Sequence, residues 1–186
     1  MATQRLTQDQ LENVLWKATV MALGLDPKRD DVQKRVRISW PKSETGSTTW
    51  RRDENVTFLR ITPGYDDYGT LHDSEYVSDP DTGLVKEVVT YHRTHSISWV
   101  CYGPDADNDA DAIRIGIIRP AVRAMMAKQH LAMMAHIIEP VRINEPDEAG
   151  QWWERCDLTA QCYEYVRREY DAEEILVAPN TIPIMK

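Results

Sequence analysis

The chain has 186 residues, a net charge of −8 and a pI near 5.1, with 42% hydrophobic and 28% charged residues. That length supports one domain with its own core and is short for two large ones. The acidity disfavours tight, sequence-independent binding of nucleic acid, which is driven by Lys and Arg displacing counterions from phosphate. A protein that sits near DNA without gripping it remains compatible with this balance.

The opening, MATQRLTQDQLENV, has no apolar stretch of signal-peptide form, and no window approaches the length of a membrane span, so the protein is expected to be made and kept in the cytosol. Cys101, Cys156 and Cys162 are odd in number and form no CxxC pair, which argues against a disulfide framework or a zinc ribbon. In that setting the sequon at Asn55, Val56 and Thr57 carries no meaning.

Along the chain, the first element is a helix from about Thr7 to Leu23. Thr7 and Gln10 form a capping box and Leu6 and Leu11 a hydrophobic staple. Leu11, Val14, Leu15, Ala18, Met21 and Ala22 make its apolar face, and Gly24 supplies the stop. Strands are expected at Lys34–Trp40 and Asn55–Thr62. The segment from Tyr65 to Val85 follows, holding six acids and no Lys or Arg, and reads as a projecting loop over 63–85. A long strand then runs from Val85 to Tyr102. Its Val89, Tyr91, Ile97, Trp99 and Cys101 point one way and Thr90, His92, Thr94, Ser96 and Ser98 the other.

Asp105, Asp107, Asp109 and Asp111 come next, at every second residue, the rhythm of a calcium loop's first ligands. Counting from Asp105, however, the turn glycine and the bidentate glutamate of such a loop are replaced by Ala110 and Gly116. The acids are therefore read as the first turn of a second helix, capping free N–H groups and meeting the positive end of its dipole. Ile113, Ile117, Ala121 and Ala124 form its stripe, and Pro120 should kink or break it. A short strand is expected in HIIEPVRI. In QWWERCDLTAQCYEYVRREY, Cys156, Leu158, Ala160, Cys162 and Val166 alternate against Arg155, Asp157, Thr159, Gln161 and Arg167. Strands of that length reach beyond ~45 Å, so their ends should project as a hairpin or as edges for another subunit. The expected fold is α+β, a mainly antiparallel sheet flanked by two main helices, over residues 1–186, with an extended arm at 177–186.

Chemistry finds little footing. His92 and His95 fall on opposite faces of their strand, His130 and His136 match one helical face poorly, and a lone His72 in an acidic loop is solvated, so no metal site is expected. No GxSxG, HExxH, Walker A or dinucleotide glycine pattern occurs, and Cys156 and Cys162 lie on the apolar side of a strand, where a thiol behaves as a small hydrophobe. Neither catalytic nor cofactor-binding residues are assigned. Asp66, Asp67, Asp73, Glu75, Asp79 and Asp81 form either a solvated hairpin or a surface facing a basic partner or a channel that must not hold DNA. Trp50, Trp152 and Trp153, each by itself a half-buried packing residue, are together candidates for a subunit or partner interface, with Tyr65, Tyr68 and Tyr76.

The order RVRISWP, FLRITPGYDDYG, a long strand into an acid-led helix, and WWERCDLTAQCYEYV resembles the neck or tail-terminator proteins of long-tailed bacteriophages, from the first helix to about Tyr170. The resemblance implies a hexameric ring in the virion neck. Such a ring ends tail-tube growth and joins the finished tail to the head around a DNA channel. Its partners would be the tail tube, the sheath of a contractile tail and the head-completion proteins, with no membrane and no cofactor. The competing classes are a small cytosolic enzyme with an unrecognised site and a monomeric adaptor or nucleic-acid-binding module.

Overall fold

The computed structural model describes residues 3–39, 50–78, 83–134, 137, 139–143, 146, 150 and 152–171. The expected arm at 177–186, Asp79, Asp81, His136 and the side chain of Tyr68 lie outside the described residues. The described chain runs β1 (Thr3–Gln4), α1 (Gln8–Ala22), α2 (Val32–Arg35), β2 (Val36–Ile38), β3 (Val56–Pro63), a 3-10 turn (Asp67–Thr70), β4 (His72–Ser78) and β5 (Val85–Tyr102). It continues with α3 (Ala106–Gly116), α4 (Pro120–Ala127), β6 (Leu131–Met133), β7 (Val141–Ile143) and β8 (Arg155–Asp171).

The spine is the antiparallel pair β5–β8, in register from Lys86↔Asp171 to Tyr102↔Arg155. One edge of β5 carries β3 and then β4, while the far edge of β8 carries β7, β6 and β1 in turn. Only β2–β3 is parallel among the described strands. The period-two pattern in the sequence explains which face is buried: Ile97, Trp99 and Cys101 of β5 and Cys156, Leu158, Ala160 and Cys162 of β8 share one core with α1, α3 and α4. Trp99 ties that core together, its indole N–H donating to Thr19 Oγ1 at 2.9 Å, while the Thr19 hydroxyl donates to the Leu15 carbonyl at 2.8 Å. Both residues are fully buried, so each polar group needs such a partner.

The first helix matches its expected bounds, and the capping box is present in both directions, Gln10 N–H to Thr7 Oγ1 and Thr7 N–H to Gln10 Oε1. The second helix does not run through. It stops at Gly116, and Pro120 starts α4 as a separate element, so three longer helices rather than two main ones cover the sheet. Proline suits a first helical position because its missing N–H would be unsatisfied there anyway. Glycine at 116 is required by the crossing of α3 on α1, where an added Cβ would lie 2.4 Å from the Ala22 carbonyl oxygen.

Other expected bounds shift. Lys34 and Arg35 close α2, so the early strand spans Val36–Ile38 only, and of HIIEPVRI only Val141–Ile143 is strand among the described residues. In the outer half of β5 the buried positions are Val88 and Thr94, while Val89 and Tyr91 are only half-buried. Thr94 is covered from the side away from the helices, because Gly64 packs on it closely enough to donate its N–H to the Thr94 carbonyl at 2.9 Å. The acidic segment is no simple loop: it contains the 3-10 turn and the seven-residue strand β4, which pairs with β5 from His72↔Tyr91 to Ser78↔Val85.

Candidate subunit interface

At its outer end the sheet is four strands wide. One rung reads Asp73, Thr90, Arg167, Gln4 across β4, β5, β8 and β1. β4 is the edge of that rung and every one of its residues is exposed. Apolar side chains cluster on the same arm: Tyr65 is 77% exposed, Leu71 64%, Tyr76 60% and Leu84 67%.

The acids of the segment have different surroundings. Asp66 folds back on the sheet, where it accepts the Tyr163 hydroxyl at 2.5 Å, and Asp67 accepts the Tyr65 hydroxyl at 3.1 Å. Asp73 and Glu75 stand exposed on β4, on the side shared with Thr90 and Val88, and hold no ion pair among the described residues. The tryptophans separate as well. Trp50 and Trp153 are half-buried in an aromatic cluster with Phe58 and Tyr102, with ring centroids 4.8 Å apart for Trp50–Phe58 and 5.9 Å for Trp50–Trp153. Trp152 is 55% exposed and stays outside that cluster.

The Asp105–Asp111 run is bound to protein groups. Asp105 and Asn55 exchange two hydrogen bonds, side chain to side chain at 2.8 Å and Asp105 N–H to Asn55 Oδ1 at 2.9 Å. Asp109 is buried and takes both of its oxygens to Arg35 Nη2, at 2.6 and 2.7 Å. Burial pushes its carboxyl above the ordinary value despite the bond and charge of Arg35. Asp107 accepts from the Cys156 thiol at 3.8 Å, and Asp111 pairs with Arg114 at 3.6 Å. Asp105, Asp107 and Asp109 therefore join α3 to its neighbours, while Asp111 pairs within the helix; no side chain caps the helix at Asp105, contrary to the capping role expected for them. Among the described residues no group of three His, Cys, Asp or Glu could hold a metal. Burial pushes the Cys101 and Cys162 thiols up to about 12, so they stay protonated packing residues.

One buried polar site escaped the sequence reading. Glu164, 1% exposed, takes the Leu6 N–H at 2.8 Å on one oxygen and Arg93 Nη1 at 3.1 Å and His95 Nε2 at 2.9 Å on the other. Burial raises its carboxyl, but the bonds from His95 and Leu6 and the charge of Arg93 outweigh it and hold the group below its ordinary value. The signal was present in the alternation. Glu164 falls in the Cys156–Val166 apolar series, and Arg93 and His95 fall in the series of Tyr91 and Ile97. The cluster anchors the N-terminal segment to β8 through the Leu6 N–H.

The described residues define a mixed α+β fold with a largely antiparallel sheet and an exposed strand-bearing arm. The chain belongs to the phage neck terminator protein family, whose model matches residues 9–185. It is a structural protein of the virion neck that takes part in joining head to tail. A search of curated proteins found no match to the chain.

Proposed function

We propose that six copies of this chain close into a ring that caps the tail tube and surrounds the channel through which DNA passes. The observation that carries this reading is β4, an edge strand with every residue exposed, on an arm that also exposes Tyr65, Leu71, Tyr76 and Leu84. Exposed edges are pairing templates, and an apolar arm of this kind is covered in an assembly. The count of six, and the tail tube, sheath and head-completion proteins as neighbours, follow from the resemblance carried by RVRISWP, FLRITPGYDDYG and WWERCDLTAQCYEYV. Asp67, Asp73 and Glu75 are exposed on this arm and available to the channel or to a basic partner.

Electron microscopy of intact necks tests the reading. Six-fold density for this chain at the end of the tube is expected, and particles lacking it should carry overlong or ragged tails without heads. A single copy, or density without rotational symmetry, would overturn the ring.

A further inference from the structure

The two edges of the outer sheet carry opposite charge. On the β4 side, Tyr65 to Val85 contains no Lys or Arg, and Asp73 and Glu75 are exposed without ion pairs among the described residues. On the other side, three strand spacings or about 14 Å away, the chain between α4 and β6 meets β1 along the outer edge of β8. There Arg5, Lys128 and His130 are exposed around a cavity of about 230 Å³ that Gln4, Gln10 and Tyr165 also line. Arg5 and Lys128 hold no ion pair among the described residues. Glu164 lies in the floor, but Arg93 balances its charge at 3.1 Å.

His130 is the one non-glycine residue with a positive φ, 56°, among those described. Its carbonyl accepts the Tyr165 N–H at 2.9 Å, so the strained backbone holds its ring at this edge, 6.5 Å from the Tyr165 ring. A larger cavity of about 590 Å³ beside α2 is less suited to a partner of one sign. Its Arg29 and Arg35 are already paired with Asp31 and Asp109, and Asp26 and Glu54 share the wall.

We infer that neighbouring copies join edge to edge, the acidic β4 arm of one copy, with Asp73, Glu75 and Tyr76, seating against the basic notch of the next, with Arg5, Lys128 and His130. The inference rests on the ring reading above and names the contact that closes it. Because the two surfaces differ and lie on opposite edges at the same rung, the contact is head to tail, the type that closes into rings. Pairing of β4 with β4 across a two-fold axis would instead set acids against acids, with no cation on the arm to relieve them.

The test uses assembled particles. Glu75→Cys combined with Lys128→Cys, treated with a short bis-maleimide, should yield a ladder of covalent multimers up to the full ring; either substitution alone should yield none. The native cysteines are buried and do not compete. In parallel, D73K/E75K and R5E/K128E should each lower infectious yield about tenfold or more, and the two combined should restore most of it, because like charges across an interface block a wrong pairing. Melting temperatures of all variants should match the parent, since every site is exposed. A six-fold neck without ladder or rescue overturns this contact and leaves the ring; a neck with one copy overturns both. A covalent dimer from Glu75→Cys alone would show β4 meeting β4 and overturn the head-to-tail contact.

Discussion

Arg93 sits directly across from Glu164 in the β5–β8 ladder, its Nη1 3.1 Å from a carboxylate that is 1% exposed. Removing the charge from such a pair leaves the cation poorly matched, and the loss exceeds what the intact pair adds. E164Q should therefore lower the free energy of unfolding by about 3 kcal/mol, read from chemical denaturation.

The same carboxyl gives an acid limb to stability. Its folded value lies below the ordinary one, so its contribution is complete above the unfolded value and is lost as pH falls through the lowered folded value. Wild type should lose more stability than E164Q between neutrality and about pH 3. Asp109, raised by burial, runs the other way, and D109N should keep the acid-side loss. Equal pH profiles for wild type and E164Q would remove Glu164 from this account.

Gly116 offers a purely steric test. A Cβ there would sit 2.4 Å from the Ala22 carbonyl oxygen and 2.6 Å from Ala22 Cα, and backbone cannot swing aside as a side chain can. G116A should cost about 2–3 kcal/mol by forcing α1 and α3 apart. At Gly24 the space is open but φ is +71°, so G24A should cost only about 1 kcal/mol.

Calcium should have no effect. Asp105, Asp107, Asp109 and Asp111 already bond Asn55, Cys156, Arg35 and Arg114, which leaves no convergent set of oxygens. The melting temperature should be the same in EDTA and in millimolar calcium. A rise of several degrees on adding calcium would overturn the reading.

Trp50 and Trp152 should separate packing from contact. W50A opens the cluster with Phe58, Tyr102 and Trp153 and should cost about 3 kcal/mol. W152A, at a side chain 55% exposed, should stay within about 0.5 kcal/mol of wild type while reducing neck assembly. Calorimetry of the free protein and particle yield read the two effects independently.

The elements legible in advance were those whose cause is local or strictly periodic. α1 announces itself through Thr7, Gln10 and its apolar stripe, and β5 and β8 through alternation that holds over the inner half of β5 and from Cys156 to Val166 of β8. β4 was hidden because a strand exposed on both faces leaves no apolar rhythm to find. β6, three residues long, is too short to have one. The break before α4 is visible as Pro120, but that α3 already ends at Gly116, where it crosses α1 at Ala22, depends on tertiary packing.

By itself the sequence determined the acidic, cysteine-poor, motif-free character of the chain, its first helix and its two long strands, because these follow from composition, capping and period. Only the tertiary structure decided that Glu164 turns inward onto Arg93 and His95, and that Asp66 bonds Tyr163 while Asp73 stays exposed. It alone set the acidic and basic edges at one rung of the same sheet. The reason is register: strand pairing joins residues from opposite ends of the chain, as Gln4 joins Arg167 and Thr3 joins Arg168 near that rung, and no local pattern carries that alignment.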